Sequence, residues 1–156
     1  MNHEETLFRK KDSYGLIDIH KGYYPYVMKW HWATGGGYIG DNLMGFNLTD
    51  NQVKDQNSYN ENCIWIGGCL SLLPPVKFIF DVKNRMKPWL IRDTLGLVDL
   101  VFVPEGIRRV DINALIMKNS YRAPYGTFHG TLRTEEGAEV VLRDIFGMCE
   151  DMYLRS

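Results

Sequence analysis

Trp89-Leu90-Ile91-Arg92, Asp93-Thr94-Leu95-Gly96 and Leu97-Val98-Asp99-Leu100-Val101-Phe102-Val103 read in succession as a strand, a turn and a second strand. The flanks are rich in β-branched and aromatic residues, the types that fit a pleated, half-buried surface. The centre ends in glycine, which takes a positive φ in a tight connection without steric cost. The second run carries apolar side chains at both parities, so each of its faces must be covered by other protein. Runs joined by so short a turn pair antiparallel.

The pattern extends in both directions. Alternating or apolar runs bounded by Gly, Pro, Asn and Asp recur about every ten residues. They predict strands at 14–20, 26–33, 43–49, 63–66, 76–82, 89–93, 97–103, 110–118, 125–134 and 138–146. Glu135-Glu136-Gly137 makes a second short hairpin between the last two. No segment sustains a helical period beyond two turns. Successive hairpins without crossover helices form a β-meander, so the expected fold is all-β, an antiparallel up-and-down barrel with little helix. One strand face would line the barrel interior, and the other would pack on a helix, a domain or a second subunit. The polar, Asn/Asp-rich segment 49–61 is expected to be a long surface loop acting as a mobile lid.

The chain has 156 residues, the size of one domain that buries its core without a disulfide or metal. Its 13% aromatics and 15 glycines suit strands and tight turns rather than a helical bundle. Lys+Arg 18 against Asp+Glu 19 gives net charge −1, with no electrostatic reason to expect nucleic acid or an anionic membrane. The N-terminus lacks the apolar stretch of a signal peptide, and no run approaches the ~20 apolar residues of a membrane span. Cys63, Cys69 and Cys149 form no CxxC pair and read as small core hydrophobes in a reducing compartment, so the expected location is cytoplasmic.

Gly35-Gly36-Gly37-Tyr38-Ile39-Gly40 matches the dinucleotide fingerprint by letter, but Asp41-Asn42 leads into a strand rather than a phosphate-binding helix. The glycines are expected in a hairpin connection, and no cofactor is expected. His3, His20, His31 and His129 have no metal-ligand spacing, so no metal site is expected. The most informative run is Tyr26-Val27-Met28-Lys29-Trp30-His31-Trp32-Ala33-Thr34-Gly35. Strand alternation puts Tyr26, Met28, Trp30 and Trp32 on one face and Val27, Lys29, His31 and Ala33 on the other. Two buried indole N–H groups need acceptors, which points to a polar-lined cavity or to a dry core with local partners. Asn47, Glu61 and Asn62 are the polar residues expected beside them. Glu61 facing an apolar cavity would have its pKa raised toward general-acid duty; at a loop end it would instead accept bonds from backbone amides. Further along, Tyr125, Thr127, His129 and Thr131 share one face opposite Phe128 and Leu132, with Gly126 and Gly130 allowing close approach of a neighbour.

Ser13-Tyr14-Gly15-Leu16-Ile17-Asp18 with Gly22, Trp30-His31-Trp32-Ala33-Thr34-Gly35, Gly45-Phe46-Asn47-Leu48, Glu61-Asn62, Pro88-Trp89-Leu90-Ile91-Arg92, 97–104, Asn113 and 125–132 together resemble the domain-of-unknown-function 2804 family, in the order of its C-terminal half. The family is distantly similar to the AttH and carotenoid-hydratase group. The resemblance implies a lipocalin-like (calycin-type) barrel over 13–156 after a lead-in at 1–12. It also implies pocket or motif roles for Trp30, Trp32, Asn47, Glu61 and Asn62. In such hydratases an acidic residue protonates an isolated alkene without a cofactor, and Glu61 would take that role. Family members run to about twice this length, so a homodimer or association with a missing N-terminal half is expected through an exposed apolar face.

Three functions follow as expectations. The first is binding of a small, largely apolar molecule by Trp30, Trp32, Asn47, Asn62 and Tyr125. The second is a cofactor-independent hydratase or isomerase using Glu61 with His31 or His129 as the proton-handling groups. The third is an interaction module, marked by a filled interior and an apolar outer surface.

Overall fold

The computed structural model describes residues 5–9, 13–19 and 21–155. It is all-β, a nine-stranded antiparallel sheet curled into a half-barrel, consistent with a lipocalin-like barrel. The strands are β1 (Val27–Ile39), β2 (Asn42–Asp50), β3 (Cys63–Ile66), β4 (Cys69–Leu72), β5 (Lys77–Ile79), β6 (Trp89–Arg92), β7 (Val98–Asn113), β8 (Lys118–Arg133) and β9 (Glu139–Arg155), with one short helix, α1 (Gln56–Tyr59).

The order across the sheet is β4-β3-β2-β1-β9-β8-β7-β6-β5. Two meanders, β1–β4 and β5–β9, are therefore joined side by side through β1 and β9. This order explains the curl. A flat sheet would hold its edge strands about 38 Å apart, eight gaps of ~4.8 Å. Yet β4 and β5, the two edges, are consecutive in the chain, and the link from Leu72 to Lys77 reaches only about 18 Å. The sheet must bend until its edges approach.

The inner face is filled by Met44, Phe46, Leu48, Ile64, Trp89, Ile91, Leu100, Phe102, Phe128, Leu132 and Leu142, all buried. A chain of ring contacts runs through it, from Phe46 edge-on to Phe128 (5.0 Å), to Phe102 (4.7 Å), to Trp89 (6.4 Å), to Phe80 stacked at 3.9 Å, to His31 at 5.3 Å. Each fully buried large side chain contributes about 1.5–3 kcal/mol. Among the described residues the half-barrel interior is thus a packed aromatic and aliphatic core.

Several expected boundaries are corrected. Residues 13–19 form no strand, and His20 lies outside the described residues, as do His3 and most of the lead-in. The glycines at 35–37 lie inside β1, not in the turn; only Gly40, at φ 58°, belongs to the β1–β2 hairpin. A Cβ on Gly35 would sit 2.9 Å from the Phe46 ring, so this glycine makes room for the core. The expected strands 97–103 and 110–118 are one strand, β7, which passes Pro104 and Gly106 through a bulge. The turn falls later, where the Ala114 N–H donates to the Met117 carbonyl (2.7 Å) between paired Asn113 and Lys118. β9 runs to Arg155, well past the expected end at 146, and β4 forms where no strand is expected. The segment expected as a continuous loop at 49–61 contains α1, capped by Asp55 accepting from the Ser58 N–H.

Candidate functional site

Antiparallel partners share a face, so the register assigns every side chain. Trp30 is opposite Met152, which is opposite Tyr121, and Trp32 is opposite Glu150. These residues form two cross-strand rows over β1, β9 and β8, on the outer face of the sheet. His31 and Ala33 point the other way, into the core.

A pocket of about 620 Å³ lies on this outer face. Its floor is Met28, Trp30, Trp32, Asn47, Tyr121 and Glu150. Asn51, Gln52 and Val53, after β2, raise one wall, and Asp18, Tyr24 and Pro25, before β1, raise another. The preceding arm is anchored where the Tyr14 hydroxyl donates to the Phe146 carbonyl (2.9 Å), its ring lying over Gly36. Burial raises the Tyr14 pKa, and a backbone hydrogen bond with Gly36 only partly opposes this.

The polar groups of the pocket are arranged in two sets. The Glu150 carboxylate accepts from the Trp30 indole N–H (3.2 Å) and from the Tyr121 hydroxyl (2.5 Å). Burial, then the bond to that carboxylate, pushes the Tyr121 phenol far above its ordinary value, so it stays protonated as a donor. The Trp32 indole N–H donates to Asn47 Oδ1 (2.7 Å), and Asn47 Nδ2 donates to the Glu61 carbonyl (2.8 Å). Both indoles are thereby satisfied and fixed in orientation, leaving an apolar surface with carboxylate and amide groups at defined points. Such a surface can hold an apolar body and accept hydrogen bonds from a polar end.

The structure brings together Trp30, Trp32, Asn47 and Glu61 at this pocket. Glu61 is exposed, and its backbone carbonyl positions Asn47. Asn62 is fully buried below: its Oδ1 accepts from the Thr49 N–H (2.6 Å) and its Nδ2 donates to the Pro74 carbonyl (2.9 Å). His31 lies on the inner face against Phe78 and Phe80, with Nε2 3.7 Å from the Asp151 carboxylate, which also binds Arg85. Burial lowers the His31 pKa more than Asp151 raises it. His129 is on the outer face but away from the pocket, its Nε2 3.3 Å from Thr127 Oγ1 and 3.7 Å from Asp144. Tyr125 packs beside Phe146, also outside the pocket. Glu61, His31 and His129 are therefore not assembled into one proton-transfer group.

Sequence reasoning missed Glu150 and Tyr121. Their signal was the alternation Met148, Glu150, Met152 against Cys149 and Tyr153, which continues β9 beyond Gly147. Among the described residues, no group of three or more His, Cys, Asp or Glu is placed to hold a metal ion, and no helix is long and apolar enough to cross a membrane. Cys63, Cys69 and Cys149 are all free, and burial pushes the Cys63 thiol up to about 11.

Comparisons with curated proteins and with solved structures return no match. A family model described as "Domain of unknown function (DUF2804)" matches residues 1–155, and this outer-face pocket therefore belongs to a member of the DUF2804 family.

Proposed function

We propose that the chain binds a small, largely apolar molecule with a hydrogen-bond-donating end in the outer-face pocket. The observation that carries this reading is the Glu150 carboxylate, held by Trp30 and Tyr121 on a floor of Met28 and Trp32. A carboxylate keeps unused lone pairs after accepting two bonds, so it can receive a ligand hydroxyl or amine. The test is titration with N-phenyl-1-naphthylamine, an apolar fluorophore with one N–H, read by energy transfer from tryptophan. Saturable binding weakened roughly tenfold by Trp32→Ala is expected, one lost aromatic contact surface being worth about 1.5 kcal/mol. Absence of saturation, or identical binding by the variant, would remove the reading.

A second reading, an assembly module, is favoured by the filled interior together with Leu43, Trp65, Leu70 and Leu72, all exposed beside one another on the outer face at the β2–β4 edge. It predicts self-association through that edge, or association with a further domain. Sedimentation equilibrium of the wild type and of Trp65→Glu decides whether copies associate there; a concentration-independent monomer excludes the homodimer.

A further inference from the structure

We infer that the β7–β8 hairpin end of the sheet docks on an anionic lipid surface. The turn between these strands is Ala114-Leu115-Ile116-Met117, with no glycine, proline or charge. Leu115 is 98% and Ile116 74% exposed, and Ile112 and Met117 beside them are exposed too. A hairpin tip is the place where polar residues cost nothing, so an aliphatic tip needs an apolar environment to account for it. The Tyr26 hydroxyl lies 3.5 Å from the Ile116 carbonyl, and this exposed ring adds an amphipathic side chain of the kind that sits at lipid headgroups.

A ring of cations stands behind the tip. Arg108 and Arg109 on β7 and Lys118 on β8 are exposed, and Arg122 follows on β8. The register adds Arg155, opposite both Lys118 and Val27, and Lys29, opposite Tyr153. Of the carboxylates on the same stretch, Asp111 is paired with Arg122 (2.8 Å) and Asp151 with Arg85, while Glu150 is bonded to the neutral Trp30 and Tyr121 side chains. Arg108, Arg109, Lys118, Arg155 and Lys29 still outnumber Glu150, so the chain's net charge of −1 conceals an end with a cationic excess. An aliphatic tip backed by cations complements a bilayer with anionic headgroups, where the tip enters the acyl boundary and each basic side chain adds about 1 kcal/mol. Met28, Lys29 and Tyr121 belong both to this end and to the pocket, so docking would bring the pocket lining near the lipid.

The test is co-sedimentation of the full chain with vesicles of phosphatidylcholine alone or mixed with phosphatidylserine. Binding to the mixed vesicles, weakened by salt, is expected, with a loss of at least about tenfold in Leu115→Asp/Ile116→Asp. Arg109→Gln/Lys118→Gln is expected to lose affinity for the mixed vesicles several-fold, and circular dichroism checks that both variants fold. No binding to mixed vesicles, or equal binding by the aspartate variant, overturns the proposal. So does a wild-type dimer that the aspartate variant converts to monomer without vesicle binding, since the tip would then join two copies. The tip variants leave Trp30, Trp32 and Glu150 in place, so failure to dock and failure to bind N-phenyl-1-naphthylamine are read separately.

Discussion

His31 sits where a polar ring is least expected, on the core face between Phe78 and Phe80, with Nδ1 buried and unpartnered. Desolvation disfavours its cationic form; Asp151 and Asp50 oppose this, while Lys77 and Arg85 reinforce it, and the folded-state pKa is lowered from 6.5. Between the lowered value and 6.5 the unfolded chain binds more protons than the folded one. Stability from this residue is therefore complete above about pH 6.5 and declines as the pH falls through that value toward the folded pKa. Urea midpoints measured between about pH 7.5 and 5.5 should fall for the wild type and change less for His31→Phe, which keeps a ring in the site but cannot titrate. An unchanged slope in the variant would assign the dependence to another group. The same residue shows what a sequence can and cannot disclose. Alternation separated His31 from Trp30 and Trp32 correctly, because the period of a strand is a property of its backbone. Which of the two faces turns inward depends on the curl of the whole sheet, and so the indoles expected around an interior cavity line an exterior one.

Short elements bounded by strong turn residues were legible at the level of the strand. β3 matches its expected limits, β6 nearly so, and Gly96 and Gly137 take the positive φ anticipated for their hairpins, 76° and 86°. The long strands were not, because Pro104-Glu105-Gly106 and Gly147 look like terminators and act as a bulge and a close crossing. A Cβ on Gly147 would stand 2.2 Å from the Thr34 carbonyl oxygen and 2.7 Å from Gly35 Cα, both backbone of β1 that cannot turn aside. Gly147→Ala should consequently cost about 2–3 kcal/mol, as overpacking does. Gly45→Ala in β2 is the contrasting case, since its Cβ would make ordinary contact at 3.7 Å. There the variant is expected to be neutral or more stable by up to about 1 kcal/mol, through the lower entropy of the unfolded chain. Denaturation midpoints that moved equally for both would show that strand glycines act here through the backbone alone, without the close β1–β9 approach. That approach is also what carries β9 on to Glu150, so misreading Gly147 as an end removed the pocket's carboxylate from view.

The whole molecule depends on keeping β4 and β5, the opposite edges, close without pairing them. Two kinds of contact act near this seam. Lys77 of β5 forms an exposed ion pair with Asp50 at the end of β2 (3.1 Å). Asn62, fully buried, ties the Thr49 N–H of β2 to the Pro74 carbonyl in the connection between β4 and β5. Ser71 Oγ, accepting from the Glu135 N–H, links β4 to the β8–β9 turn. Exposed ion pairs contribute about 0–1 kcal/mol, whereas stranding buried backbone donors and acceptors costs about 1–3 kcal/mol each. Asn62→Ala strands one of each and should destabilise the fold by roughly 2–4 kcal/mol, while Lys77→Ala should cost about 0.5 kcal/mol or less. The two differ in kind as well as size. Because Asn62 holds the chain where it enters β3 and, through Pro74, where it crosses from β4 to β5, its loss should raise amide exchange at Ile64 and Leu73 before exchange rises at Phe102 and Phe128 in the aromatic core. Equal costs for the two variants, or exchange that rises uniformly, would mean that the curl is held by the core rings alone and that Asn62 is incidental to it. Since Thr49 and Asn51 line the pocket just beyond the strand end that Asn62 secures, binding of N-phenyl-1-naphthylamine should weaken in Asn62→Ala and persist in Lys77→Ala, tying the closure of the half-barrel to the shape of its outer-face pocket.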